Sequence, residues 1–190
     1  MTQATSTLTG TWDLDPAHTR LGFAARHAMV ATVRGGFGVF SGVIHLDADD
    51  PTKSSAEVEV DAASITTGNE QRDGHLRSGD FLETEKFPTI TFRSSSVEVA
   101  GEDEYKLHGD LVIRGVAKPV VLDLEFQGSA VDPFGNTRAG FEGKTTISRK
   151  DWDLSYNAAL ATGGVLIGDK IKIELDVSAI KRVETAPAAG

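Results

Sequence analysis

Apolar and polar residues alternate along this chain in run after run, and a period of two leaves little choice of architecture. Ala56, Val58 and Val60 alternate with Glu57, Glu59 and Asp61, as in a half-buried strand with an acidic outer face. Val120, Leu122, Leu124 and Phe126 share one face of another stretch, and Ile171, Ile173, Leu175 and Val177 one face of the last. Ile90 with Phe92, Leu107 with Leu111 and Ile113, and Phe141 with Ile147 add further runs. Near the start, Leu21, Phe23 and Ala25 alternate with Arg20, Gly22 and Ala24, and His27 falls on the apolar side. About eight strands at hairpin spacing, with no strand–helix repetition, predict an antiparallel barrel or sandwich rather than a parallel α/β sheet. Gly35-Gly36, residues 47–54, 101–104, 114–119 and 132–136 read as the turns. Alternation falters over 28–33 and changes parity near Phe40, as a bend or bulge would make it do.

One stretch interrupts the strands. Thr67 followed by Glu70 fits a capping box, and Gly79 is placed to stop a helix in a left-handed conformation. Asp73 and Arg77 stand at i,i+4 with the acid first, and Leu76 shares a face with Arg72. Gly74 inside this segment costs about 1 kcal/mol against alanine. So short a helix needs packing against something else, and Thr67–Ser78 is expected to plug or lid the strands.

At 190 residues the chain suits a single domain. Twenty glycines against six prolines agree with many strands and tight turns. The net charge of −9 argues against nucleic acid and against docking on anionic lipid by charge alone. With no cysteine, disulfides, thiol catalysis and cysteine metal sites are excluded. No apolar stretch reaches membrane-spanning length, and the first residues lack the features of a signal peptide, so a cytoplasmic location without stable membrane insertion is expected. Residues 1–9 read as a disordered lead, 10–181 as the barrel domain and 182–190 as a disordered tail.

RDGHLRSGDF followed by KFPTITF resembles the signature of the YceI-like family of lipocalin-like lipid-binding proteins. DPAHTRLGFAARHAMVATVRGGF is similar to the first long hairpin of that family, and HGDLVIRGVAKPVVLDLEF to its central hairpin. GFEGKTTISRKDWDL and GDKIKIELDVSAI are similar to its last two strands, so the likeness runs in order from about Gly10 to Ile180. The resemblance implies an extended, antiparallel, eight-stranded barrel with one short helix after the fourth strand, built around an elongated apolar pocket. It further implies a long-chain amphiphile as ligand, of polyisoprenoid or isoprenoid-quinone type, and a homodimer. Periodicity alone does not separate a hollow barrel from a filled one.

Candidate site residues follow from both readings. His27 is either a buried histidine satisfied by one hydrogen bond or a polar contact for a headgroup inside the pocket; Arg26, opposite by alternation, reaches the interior only where the strand twists or bulges. Asp73 and His75 match the signature positions that lie beside the ligand in relatives. Phe23, Val58, Val60, Phe92, Leu111, Ile113, Leu122, Leu124, Phe126, Phe141 and Ile173 are the inward apolar candidates, each either ligand wall or ordinary core. The five histidines lack the spacing of metal ligands, so no metal and no cofactor besides the bound lipid is expected. Asp73, His75, Ser78 and Asp80 do not make a hydrolase triad, because helical spacing puts Asp73 and His75 about 200° apart and no Gly-x-Ser-x-Gly elbow is present. A lipid carrier, an enzyme acting on such a lipid, and a stress-response protein with a filled barrel are the three functions to weigh.

Overall fold

The structure, a computed structural model, describes residues 7–184. Its strands are β1 (Gly10–Leu14), β2 (Arg20–His27), β3 (Ala31–Phe37), β4 (Phe40–Leu46), β5 (Ser55–Asp61), β6 (Ile65–Thr66), β7 (Thr89–Val99), β8 (Glu104–Ile113), β9 (Val116–Val131), β10 (Thr137–Ser148) and β11 (Ile167–Lys181). The single α-helix among the described residues, α1 (Glu70–Arg77), lies between β6 and β7. All pairings are antiparallel, and β11 pairs with both β1 and β2. β1 and β2 are therefore two halves of one stave, as are β3 with β4 and β5 with β6. Counted this way, eight staves run up and down in sequence order and close on themselves. The helix follows the third stave.

The breaks have local causes. Phe37 ends β3 and Phe40 begins β4, so the parity change near Phe40 is a two-residue interruption of the stave. There the Ser64 hydroxyl accepts from the Val39 amide at 3.1 Å and the Asp61 amide donates to Val39 O at 2.9 Å. Gly35-Gly36 is not a turn: both residues lie inside β3, opposite Phe23 and Gly22. A Cβ on Gly35 would stand 2.6 Å from the Phe23 ring, so glycine here makes room for an aromatic neighbour. The chain reverses instead at Ala28 and Met29, with φ of +49° and +63°. Non-glycine residues rarely adopt that region, so composition could not announce the turn. The Arg114–Gly115 pair, both at positive φ, makes the β8–β9 turn, and Val116–Pro119 belongs to β9.

The helix is shorter than expected and differently capped. Asn69 is its N-cap, accepting from the Arg72 amide at 2.9 Å, and it ends at Ser78 in an extended conformation rather than at a left-handed Gly79. Asp73 and Arg77 do not bond to each other, for Arg77 reaches the carbonyls of Ala63 and Ile65 instead. Arg114 fastens the segment after the helix by donating to Gly79 O at 3.1 Å and to Glu83 Oε2 at 3.2 Å.

Two apolar clusters occupy the bore at different heights. Trp12, Ala139 and Ala179 are buried with Phe126, Phe141, Ile44 and Leu46 packed around them, and they fill one end. Gly143 lies just inside this plug, where a Cβ would stand 2.8 Å from Leu124. The larger cluster, which includes Val60, Ile90, Phe92, Ile113 and Leu122, surrounds the other end and leaves it hollow. A 3-10 turn, Arg149–Trp152, packs against β9 and β11, and the buried Trp152 indole donates to Leu111 O at 3.0 Å. Residues 1–6 and 185–190 of the expected loose ends lie outside the described residues. Within them, Leu8 O accepts from the Trp12 indole, Thr9 Oγ1 from the Ala48 amide, and Arg182 pairs with Asp13 at 2.7 Å.

Candidate ligand-binding cavity

The hollow end encloses a cavity of about 550 Å³, within the range of roughly 300–1,000 Å³ common for small-molecule sites. Alternation builds it: each stave contributes every second residue, Leu21, Phe23 and Ala25 from β2, Val58 and Val60 from β5, Ile90 and Phe92 from β7. Leu111 and Ile113 of β8, Val120 and Leu122 of β9, Ile147 of β10, and Ile171, Ile173 and Leu175 of β11 complete the wall. The roof comes from α1, the segment after it and the irregular connection after β10, through His75, Leu76, Phe81, Leu82, Leu154 and Tyr156.

Among the residues expected to contact a ligand, His27, His75, Phe23, Val58, Val60, Phe92, Leu111, Ile113, Leu122 and Ile173 all line this one space. Four do not. Phe126 and Phe141 face each other across β9 and β10, ring centroids 5.3 Å apart, and belong to the plug. Leu124 lies at the height between plug and cavity. These three point inward as alternation requires, but at a level where the bore is already filled. Asp73 is turned away from the cavity: its carboxylate accepts from the Thr67 amide at 2.8 Å and from the Thr67 hydroxyl at 2.5 Å. Burial by itself would raise the Asp73 carboxyl, but the Thr67 bonds outweigh it and hold it below the usual carboxylate range. Asp73 thus fastens the helix to the strand before it.

The polar groups in the wall are few. His27 sits in the wall with its imidazole unpartnered among the described residues. It is not the histidine satisfied by a protein hydrogen bond. Arg26 also borders the cavity, since β2 and β11 slip in register between Ile167 and Ile171, the irregularity that alternation required for it. His75 Nε2 is 2.8 Å from Asp80 Oδ2, and its ring meets Phe81 and Tyr156 edge-on at 5.0 and 4.9 Å. The three rings form a triangle over the mouth.

Three lining residues with large polar side chains were not anticipated as site residues. Arg72 borders the cavity and is held by Thr67, with Nε 2.7 Å from Oγ1. Its place on the Leu76 face was the available signal. Tyr156 and Arg149 come from an aperiodic stretch that offers none. Arg149 is only 3% exposed, and its guanidinium donates to the carbonyls of Gly168, Leu154, Tyr156 and Ile167. Burial pulls its pKa below the ordinary arginine value, with Asp169 acting in the opposite sense. Arg149 gathers the two sides of the connection that forms the roof. No three His, Asp or Glu side chains converge to hold a metal ion among the described residues.

The profile of the YceI-like domain matches residues 12–179. A UPF0312 protein of Ectopseudomonas mendocina (strain ymp) is 39% identical over 150 residues, which cover 79% of this chain and 78% of that protein. The crystal structure of the Campylobacter jejuni YCEI protein superposes with a TM-score of 0.72 at 30% identity, covering 83% of this chain and 90% of that one. A polyisoprenoid binding domain from Saccharophagus degradans superposes with a TM-score of 0.70 at 19% identity over 90% of this chain and 98% of that one, and so shares the fold.

Proposed function

The chain belongs to the YceI-like family, and from that premise we propose that its barrel binds and carries a long-chain amphiphile, of polyisoprenoid or isoprenoid-quinone type, without transforming it. The observation that carries this reading is a cavity walled almost wholly by aliphatic and aromatic side chains, with the unpartnered His27 in the wall. Each methylene buried there contributes about 0.8 kcal/mol, so chain length supplies affinity without specific contacts. A headgroup acceptor at His27 adds about 1 kcal/mol and selects among amphiphiles. The Saccharophagus degradans domain, described as polyisoprenoid binding, supports the choice of ligand class. Homodimeric assembly and a cytoplasmic location are part of the same proposal.

Native mass spectrometry of the purified protein, followed by solvent extraction and lipid identification, tests it. The expected result is a co-purified long-chain lipid that stays chemically unchanged on incubation. Turnover of the lipid would favour an enzyme instead. A protein that carries no lipid and gives a flat titration with a polyprenyl ligand would refute the proposal.

A further inference from the structure

The cavity mouth is flanked on one side by two segments without charge. Residues 27–33 and 154–168 contain no Asp, Glu, Lys or Arg, in a chain where 25% of residues are charged. The fold lays them side by side. His27 pairs with Ile167, the Ala28 amide donates to Leu166 O at 2.7 Å, and the Met29 sulfur occupies the space where a side chain at Gly164 would begin. Their apolar side chains are not buried by this contact: Met29 is 61% exposed, Val30 82% and Val165 46%. An apolar patch left open beside the mouth of an apolar cavity marks an interaction surface rather than a packing accident.

Charge indicates the occupant. From Ala17 to Leu46 there is no acidic residue, although the chain as a whole carries −9. Arg26 is tied to the tip itself, donating to Met29 O at 3.1 Å and Thr32 Oγ1 at 3.2 Å. The turns at the plugged end carry Asp47, Asp49 and Asp50 after β4, Glu102 and Asp103 after β7, and Asp132 after β9, while at the cavity end Asp80, Glu83 and Glu85 lie in the segment after α1 and Asp151 and Asp153 in the connection after β10. The patch of Met29, Val30 and Val165 is thus apolar and locally cationic, and the acids belong to other segments. An anionic bilayer would accept this patch, with Arg26 beside its phosphates.

We infer that Met29, Val30 and Val165 form a lip that enters the surface of a lipid bilayer, so that an amphiphile passes between bilayer and cavity without crossing water. The inference rests on the carrier reading for its purpose but not for its test. Apolar contact drives the docking, which leaves the net charge of −9 no obstacle. Arg26 sits at the depth of the phospholipid phosphates.

Flotation with vesicles of phosphatidylcholine and phosphatidylglycerol, with no added amphiphile, reads the lip alone. A double variant, M29D with V30D, changes two exposed side chains, and aspartate tolerates the left-handed backbone at position 29. V165D attacks the lip from the other segment. Wild type is expected to float, and each variant to bind vesicles on the order of tenfold more weakly, with far-ultraviolet circular dichroism unchanged. Transfer of a fluorescent polyprenol from vesicles should slow in parallel, while its affinity in detergent solution stays the same. Flotation of folded variants equal to wild type overturns the lip, as does a variant that changes only the sedimentation of the protein, which would make the patch a contact between copies. A wild type that floats but binds no polyprenol in detergent sinks the carrier reading and leaves the lip standing.

Discussion

Asp73 binds Thr67 twice, taking both its amide and its hydroxyl on one carboxylate oxygen at 2.8 and 2.5 Å. The same threonine receives Arg72 at its hydroxyl and at its carbonyl. This small network ties α1 to β6 across a joint that has no other regular structure. Asp73→Asn removes the charged acceptor and should cost about 1–3 kcal/mol, the range for hydrogen bonds to buried charged groups. Thermal unfolding of the variant measures it. Ligand affinity should fall with it, because Arg72 and His75 lose their footing, and a variant as stable as wild type would show that the network does not hold the helix.

His27 behaves oppositely. Its imidazole bonds to nothing among the described residues, so His27→Ala should change stability by no more than about 0.5 kcal/mol. The same change should weaken amphiphiles with a hydrogen-bonding head by about 1 kcal/mol and spare headless hydrocarbons. Calorimetric titration with a polyprenol and with the corresponding hydrocarbon separates the two.

Val60 lines the cavity and is buried. Val60→Trp places a large ring in the bore and should weaken a polyprenyl ligand more than His75→Ala, since apolar burial scales with the area removed from water. Unchanged affinity in a folded Val60→Trp variant would remove Val60 from the site.

Phe141 and Phe126 close the far end of the bore. Truncating Phe141 to alanine should cost up to about 3 kcal/mol, below a fully buried phenylalanine because it is half-buried. The variant should also accept longer chains, as the cavity extends toward Trp12. A chain-length series of polyprenols read by native mass spectrometry checks this; an unchanged length limit would place the floor elsewhere.

Acid should loosen the barrel at its plugged end. Arg138 bridges Asp15 at 2.6 Å and Asp132 at 2.7 Å. For Asp15 the Arg138 bond is the main cause of a lowered pKa; for Asp132 burial acts upward, and the Arg138 bond with the amides of its turn pulls it far down. Both are ordinarily near 3.8. A depressed carboxyl contributes stability above its unfolded value and loses it as pH falls through the folded one. The melting temperature should therefore hold down to about pH 4 and drop below it, and Arg138→Ala should flatten that drop. An identical acid profile in the variant would dissociate the cluster from acid unfolding.

Alternation at period two determined that the chain is all-β and antiparallel, and which face of each strand turns inward. That was enough to bring Phe23, Val58, Val60, Phe92, Leu111, Ile113 and Leu122 correctly to the inner wall, and the family signature pointed to His75. It said nothing of height along the bore. Phe126 and Phe141 have the same inward parity as Leu122 and Ile147, yet they plug the barrel while the others surround a cavity. Height is set by register and by closure, through β11 meeting β1 at one end and β2 further along. These are contacts between residues more than a hundred positions apart, which no local pattern encodes. The turn at Ala28–Met29 and the roof contributed by Arg149 and Tyr156 were decided the same way. In each, a long-range neighbour supplies the energy that holds a backbone or a charge where local preference would not put it.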